Sequence, residues 1–315
     1  MIIGKREIWI DWMKTIGMYF IILGHLFPEH CSEFIYSFNV PLFFFLSGLL
    51  YHRETSYAEF KHKTIRTLVI PYFLICLINL MIALFRDFSL NVQILKKMIF
   101  MSVGLFDGCG PMWFVGSLIV IKVMAYYCTR KNILCIVLVL SIVAPVVLNK
   151  MNVNTHGWVV TNSFLAFPFF YAGMYYKKKC FKLKPNARLS LFVWGGVIIL
   201  YIISQKNGCV FMYTGHYGNM LVLFFANAFM GIFIILVSAK FIDRRMKTFA
   251  ETVSTGSILI LGFHGYFLTL YKIMVTPHHG EDAFKYIYSL LVLIAFVPII
   301  SMTKRHCPIL MGKRK

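Results

Sequence analysis

Residues 9–26 read WIDWMKTIGMYFIILGHL. The stretch is apolar enough to enter a bilayer, yet it carries Asp11, Lys14 and His25. On a helix that advances about 100° per residue, Lys14 and His25 fall within roughly 20° of one another. Asp11 falls about 40° to one side, so the three polar groups share a stripe. The rise from Lys14 to His25 is about 16 Å. An ionisable group at a bilayer centre costs about 2.5–3.5 kcal/mol on insertion scales, so such groups turn to a protein interior or a wet cavity. A purely structural version of the stripe is also available: a buried Asp11–Lys14 pair at i,i+3, with His25 near the membrane surface.

Composition widens this reading to the whole chain. Of 315 residues, 59% are hydrophobic and 14% charged, against about 25% charged in soluble domains. Mean hydropathy is +0.73. The apolar residues come in blocks long enough for about 30 Å of hydrocarbon. The sequence therefore predicts an all-α, polytopic membrane bundle forming a single domain over 1–315, with no soluble domain appended. Asp11 and Lys14 inside the first block, and no small-x-small site after it, argue against a cleaved signal peptide.

Ten spans are predicted, at about 8–27, 35–51, 67–85, 112–128, 132–149, 158–176, 189–204, 217–239, 255–274 and 283–303. Of the 32 Lys and Arg residues, 23 fall in or beside the termini and the loops after even-numbered spans, and 7 in or beside the alternate set. Lys14 and Lys122 lie within spans. The positive-inside rule then places both termini in the cytoplasm. Net charge +20 is thereby a topology signal, and nucleic-acid binding drops out. Eight cysteines without C-x-x-C or paired-His spacing argue against a disulfide framework or a metal site.

Other positions carry two readings each. Ser47-Gly48, in VPLFFFLSGLLY (40–51), suits close helix packing or acceptor support. Trp113 suits an interfacial aromatic belt or the acceptor region. His264, in the ninth span, suits a buried neutral histidine or a site residue. Arg66, ahead of Pro71, and the run Lys177, Lys178, Lys179, Lys182, Lys184, Arg188 suit topology anchors, anionic-lipid contact or phosphate binding. No glycine-rich phosphate loop, zinc motif or nucleophile elbow is present. No two spans share the matched Gly/Pro interruptions of an inverted-repeat transporter.

Lys14 and His25, with ten residues between them, resemble the [R/K]-x10-H signature of the acyltransferase 3 family. The blocks VPLFFFLSGLLY (40–51), GPMWFVGSL (110–118), FPFFYAGMYYKK (167–178) and ILGFHGYF (260–267) agree in order, as does Arg66 before Pro71. The chain looks closest to the fucose O-acetylase-like branch. Where that branch often has a histidine, this chain has Asn39, which can hydrogen-bond but not titrate.

The resemblance implies a bacterial cytoplasmic-membrane enzyme with no resident cofactor or metal. It would move an acyl group, acetyl foremost, from cytosolic acyl-CoA to a sugar hydroxyl of a surface or exported glycan, or of a lipid-linked sugar. His25 would serve as general base or acyl carrier. Lys14, with Asp11 setting its environment, would orient the donor. Arg66, Lys177, Lys178, Lys179 and Arg188 would bind donor phosphates, and Asn39, Ser47, Trp113 and His264 would support the acceptor. The rival reading is a transporter or flippase for a glycan or lipid-linked sugar, with the same stripe lining its pathway. A third is a non-enzymatic assembly partner in the membrane.

Overall fold

The computed structural model describes residues 6–27, 30–85, 92–101, 110–128, 131–151, 159–179, 187–242, 244–275 and 282–313. Its helices are α1 (Ile8–Leu26), α2 (His30–Tyr36), α3 (Asn39–Leu49), α4 (Tyr57–Thr64), α5 (Ile70–Leu84), α6 (Val92–Ile99), α7 (Trp113–Tyr127), α8 (Lys131–Lys150), α9 (Val159–Lys179), α10 (Ala187–Asn207), α11 (Leu221–Phe241), α12 (Lys247–Thr255), α13 (Ser257–Val275) and α14 (Asp282–His306). A two-stranded antiparallel hairpin, β1 (Val210–Phe211) and β2 (His216–Tyr217), joins α10 to α11.

Helix makes up most of each of the ten predicted stretches, so the all-α expectation holds. Among the described residues, five helical segments, 57–84, 110–127, 221–241, 257–275 and 282–306, are long and apolar enough to cross a membrane. Apolar helices at 33–49, 133–148 and 191–207 are shorter. The second predicted span is broken: α2 ends at Tyr36 and α3 restarts at Asn39. The third has a structured approach, because Pro71 has no N–H to bond the Thr67 carbonyl. The turn before it, Ile65–Val69, is wound as a π-helix, a rare form that recurs at functional sites.

α1 is the hub. It packs on α3, α11, α12, α13 and α14, and its buried face includes Trp12, Met13, Met18, Ile21 and Ile22. α3 lies along α9. Two glycines permit that approach: a Cβ on Gly48 would overlap the Phe170 carbonyl, and one on Gly173 the Phe45 carbonyl. Small residues are what allow helix backbones to touch where lipid offers no hydrophobic drive. Because α3 is thus fixed between α1 and α9, its first residue, Asn39, is held beside the end of α1 that carries His25.

Candidate functional site

His25 is exposed while Leu23, Gly24, Leu26 and Phe27 around it are buried. Its surface opens on a cavity of about 350 Å³. Met18, Ile21 and His25 of α1 form one wall, and Tyr36, Asn39, Val40 and Phe43 of α2–α3 another. Trp113 and Phe114 contribute from α7, Leu261 from α13, and Val210–Tyr213 from the hairpin. Three positions singled out in the sequence, His25, Asn39 and Trp113, therefore meet at one site.

Two contacts fix the imidazole. The Tyr36 hydroxyl lies 3.3 Å from His25 Nδ1. In the tautomer where Nδ1–H donates to that oxygen, Nε2 keeps its lone pair, which a general base requires. The His264 ring of α13 lies 5.1 Å away, centroid to centroid. His264 is 1% exposed, and its Nδ1 is 2.8 Å from the Ile260 carbonyl. That nitrogen donates, since a carbonyl only accepts, and it pins the ring. Asn79 of α5 braces the same helix: its Nδ2 donates to the Gly262 carbonyl, and Tyr266 Oη donates to its Oδ1 at 2.7 Å. His264 thus stands behind His25 rather than on the cavity wall.

Asn39 is 1% exposed, and neither amide atom has a hydrogen-bond partner. Buried amides are normally bonded, so an unpartnered amide on a residue that lines the cavity is unusual. Ser47, by contrast, donates to the Phe43 carbonyl one turn back at 2.7 Å and does not reach the cavity. Its place beside Gly48 is a packing place.

The inner half of the stripe corrects one expectation. Asp11 is paired with Arg6, not Lys14: Arg6 Nε and Nη2 donate to its two oxygens at 2.7 and 2.8 Å. The bonded carboxylate raises the Arg6 guanidinium above its ordinary value. A planar guanidinium grips a carboxylate with two parallel bonds, which an ammonium cannot do. Arg6 precedes α1, and from there its fork reaches back to the first turn. Lys14 lies within electrostatic range of Asp11, Arg6 and Lys313 but makes no ion pair among the described residues. Burial, then Lys304 and Arg6, lower Lys313 below the usual lysine value.

The basic groups proposed for donor binding sit at the opposite end of α3 from the cavity. Lys177 Nζ is 2.9 Å from the Tyr51 carbonyl and 3.0 Å from the His52 ring. Lys178 is exposed. Arg66, on the π-turn, has a buried Nε with no hydrogen-bond partner. Lys182 and Lys184 lie outside the described residues, as do the side chains of Lys179 and Arg188. Sequence reasoning missed Lys63, paired with Glu54 at 2.6 Å, and Lys122, which neighbours both. Lys122 was the signal: a lysine inside an apolar span points inward. Among the described residues no group of His, Cys, Asp or Glu could hold a metal.

A helical bundle with spanning-length apolar helices defines an integral membrane protein, and its cavity is lined by a histidine. The chain belongs to the acyltransferase 3 family, whose model, described as an acyltransferase domain, matches residues 7–304. It is thus a membrane acyltransferase. No curated protein and no solved structure matches the chain.

Proposed function

We propose that the protein is a ten-span O-acyltransferase of the bacterial cytoplasmic membrane, with both termini in the cytoplasm. It takes an acetyl group from acetyl-CoA and places it on a hydroxyl of a sugar in a surface or exported glycan, or in its lipid-linked precursor. The observation that carries the reading is His25 facing the cavity with Nδ1 held by Tyr36.

A sugar hydroxyl is a weak nucleophile near neutral pH. As it attacks the thioester carbonyl, His25 Nε2 takes its proton; the carbon–sulfur bond breaks, and the thiolate of CoA leaves and is protonated. In the covalent variant Nε2 itself accepts the acetyl group and passes it on. The site is walled by apolar side chains, which limits thioester hydrolysis. The donor's phosphates stay with the basic groups at the inner end, Arg66 and Lys177 among them. Its thioester arm extends past Lys14 toward His25, about 16 Å along α1. Lys14, which makes no ion pair with Asp11, orients the donor on that route.

The test is acetyl transfer by purified protein from labelled acetyl-CoA to an isolated glycan fraction. A labelled ester is the expected product. Its absence, with label carried only across vesicles, would put the transporter reading in front.

A further inference from the structure

The turn between α10 and α11 is short, yet it supplies four consecutive residues of the cavity wall, Val210 to Tyr213. A two-stranded hairpin is marginal on its own, and this one is bolted down. Asn207 is fully buried: its Nδ2 donates to the Tyr217 carbonyl at 3.1 Å, and its Oδ1 accepts from the Met220 N–H at 2.9 Å. On the other side Asn162 of α9 donates to the Tyr213 carbonyl and accepts from the Tyr217 hydroxyl, each at 3.4 Å. Gly208 and Gly218 hold φ of +71° and +80°, where a side chain is strained. A Cβ on Gly218 would also overlap Asn207. A loop held this firmly presents its side chains in fixed positions.

Those side chains have a definite chemistry. Phe211 lies 6.0 Å from Tyr213 and 6.1 Å from Tyr36, ring centre to ring centre, and Tyr36 bonds His25. The rings therefore lead from the hairpin to the imidazole. The same cavity is lined by Asn39, buried, with both amide atoms unbonded. Among the described residues no lysine, arginine, aspartate or glutamate lines the cavity.

We propose that the hairpin is the acceptor-recognition element and that the cavity takes one neutral pyranose residue. The ring's C–H face lies against Phe211 and Tyr213, and two adjacent hydroxyls bond the Asn39 amide. Aromatic faces are electron-rich and attract the weakly positive C–H bonds of a pyranose. An amide offers a donor and an acceptor side by side, which matches a pair of neighbouring hydroxyls. A wholly apolar occupant would leave Asn39 unbonded in a buried place. An acidic sugar would bring a carboxylate into a wall whose described residues include no lysine or arginine. The proposal rests on the reaction above and adds the chemistry of its acceptor.

The experiment uses the purified full chain, acetyl-CoA labelled in the acetyl group, and methyl glycosides of glucose, galactose, mannose, N-acetylglucosamine and glucuronic acid. Free acetate and acetylated glycoside are both quantified. The expected result is transfer to at least one neutral glycoside and none to the glucuronide. Asn39→Leu and Tyr213→Leu should each raise the KM for the accepted glycoside about tenfold, with acetyl-CoA KM within twofold. Tyr213→Phe, which keeps the ring, should stay close to the unsubstituted protein. Should Tyr213→Leu fail to fold in a thermal melt, Phe211→Leu reads the same surface. Unchanged glycoside KM in the folded variants would overturn the proposal, as would acetylation of the glucuronide as readily as of glucose. Acetate release that depends on His25 but reaches no glycoside would overturn the pyranose assignment and leave acyl transfer standing. Acetyl-CoA turnover no greater than that of His25→Ala would instead remove the underlying reaction.

Discussion

His25 and His264 lie ring to ring, with centroids 5.1 Å apart and planes tilted by 36°. One comes from α1 and the other from α13, and each is fixed by its own hydrogen bond, to Tyr36 and to Ile260. A stationary imidazole behind the cavity histidine sets where that ring can go and backs its far side.

The ring contact makes His264 a candidate for positioning His25, which mutation tests. His264→Ala should lower kcat by about tenfold to a hundredfold, within the range that misplacement of a catalytic group by about 1 Å produces. The donor KM should hold. His264→Gln, which can still donate to the Ile260 carbonyl, should recover part of the loss. Steady-state kinetics on folded protein checks this. Equal kcat in all three proteins would leave His264 as packing only.

Arg6 makes a stability prediction. Its partner Asp11 has a side chain only 7% exposed, so truncating Arg6 strands a nearly buried carboxylate. Arg6→Ala should cost about 1–3 kcal/mol, the penalty for a buried polar group left unpaired. Arg6→Lys should cost less, although the two-toothed grip is lost. Asp11→Asn with Arg6→Ala should cost less than the sum of the two. Thermal melts of the four proteins read the coupling, and strict additivity would contradict it.

For the donor, two of the described basic candidates, Arg66 and Lys177, differ. Lys177 already bonds Tyr51 and His52, whereas the Arg66 Nε is buried without a partner. Arg66→Gln should therefore raise the acetyl-CoA KM more than Lys177→Gln does, with kcat changed less than KM. The reverse order would contradict this ranking, and no change in either would make both topology determinants alone.

The contact of α3 with α9 gives the sharpest structural prediction. A methyl group on Gly48 or Gly173 meets backbone carbonyls, which cannot rotate aside as a side chain can. Gly48→Ala and Gly173→Ala should each exceed the ~1–3 kcal/mol of ordinary overpacking. Loss of the monodisperse peak in detergent is the expected readout. A normal peak and melt would mean that the helices can part at this seam.

How much of this was legible follows from the range of each signal. The α1 stripe was readable because a 3.6-residue period repeats within the stretch itself. Asp11 was assigned to Lys14 by the same local logic. Its true partner, Arg6, lies before the helix, where periodicity says nothing. His264 was visible as a histidine in an apolar block, but its meeting with His25 depends on how α1 and α13 pack. No pattern along the chain encodes that. The hairpin left the faintest trace: strands of two residues are too short for an alternation to register. Ser47 and Trp113 each carried two readings, and helix packing separated them, one into a helix seam and one into the cavity.

The most direct test of the central claim is acetyl transfer by His25→Ala beside the unsubstituted protein, both purified and matched by melt and monodispersity. Removing a general base alone is worth about 10²–10⁴-fold, and loss of a covalent acyl carrier more. The account predicts that transfer from labelled acetyl-CoA falls by at least that amount while the fold survives. Near-normal turnover in well-folded His25→Ala would contradict it.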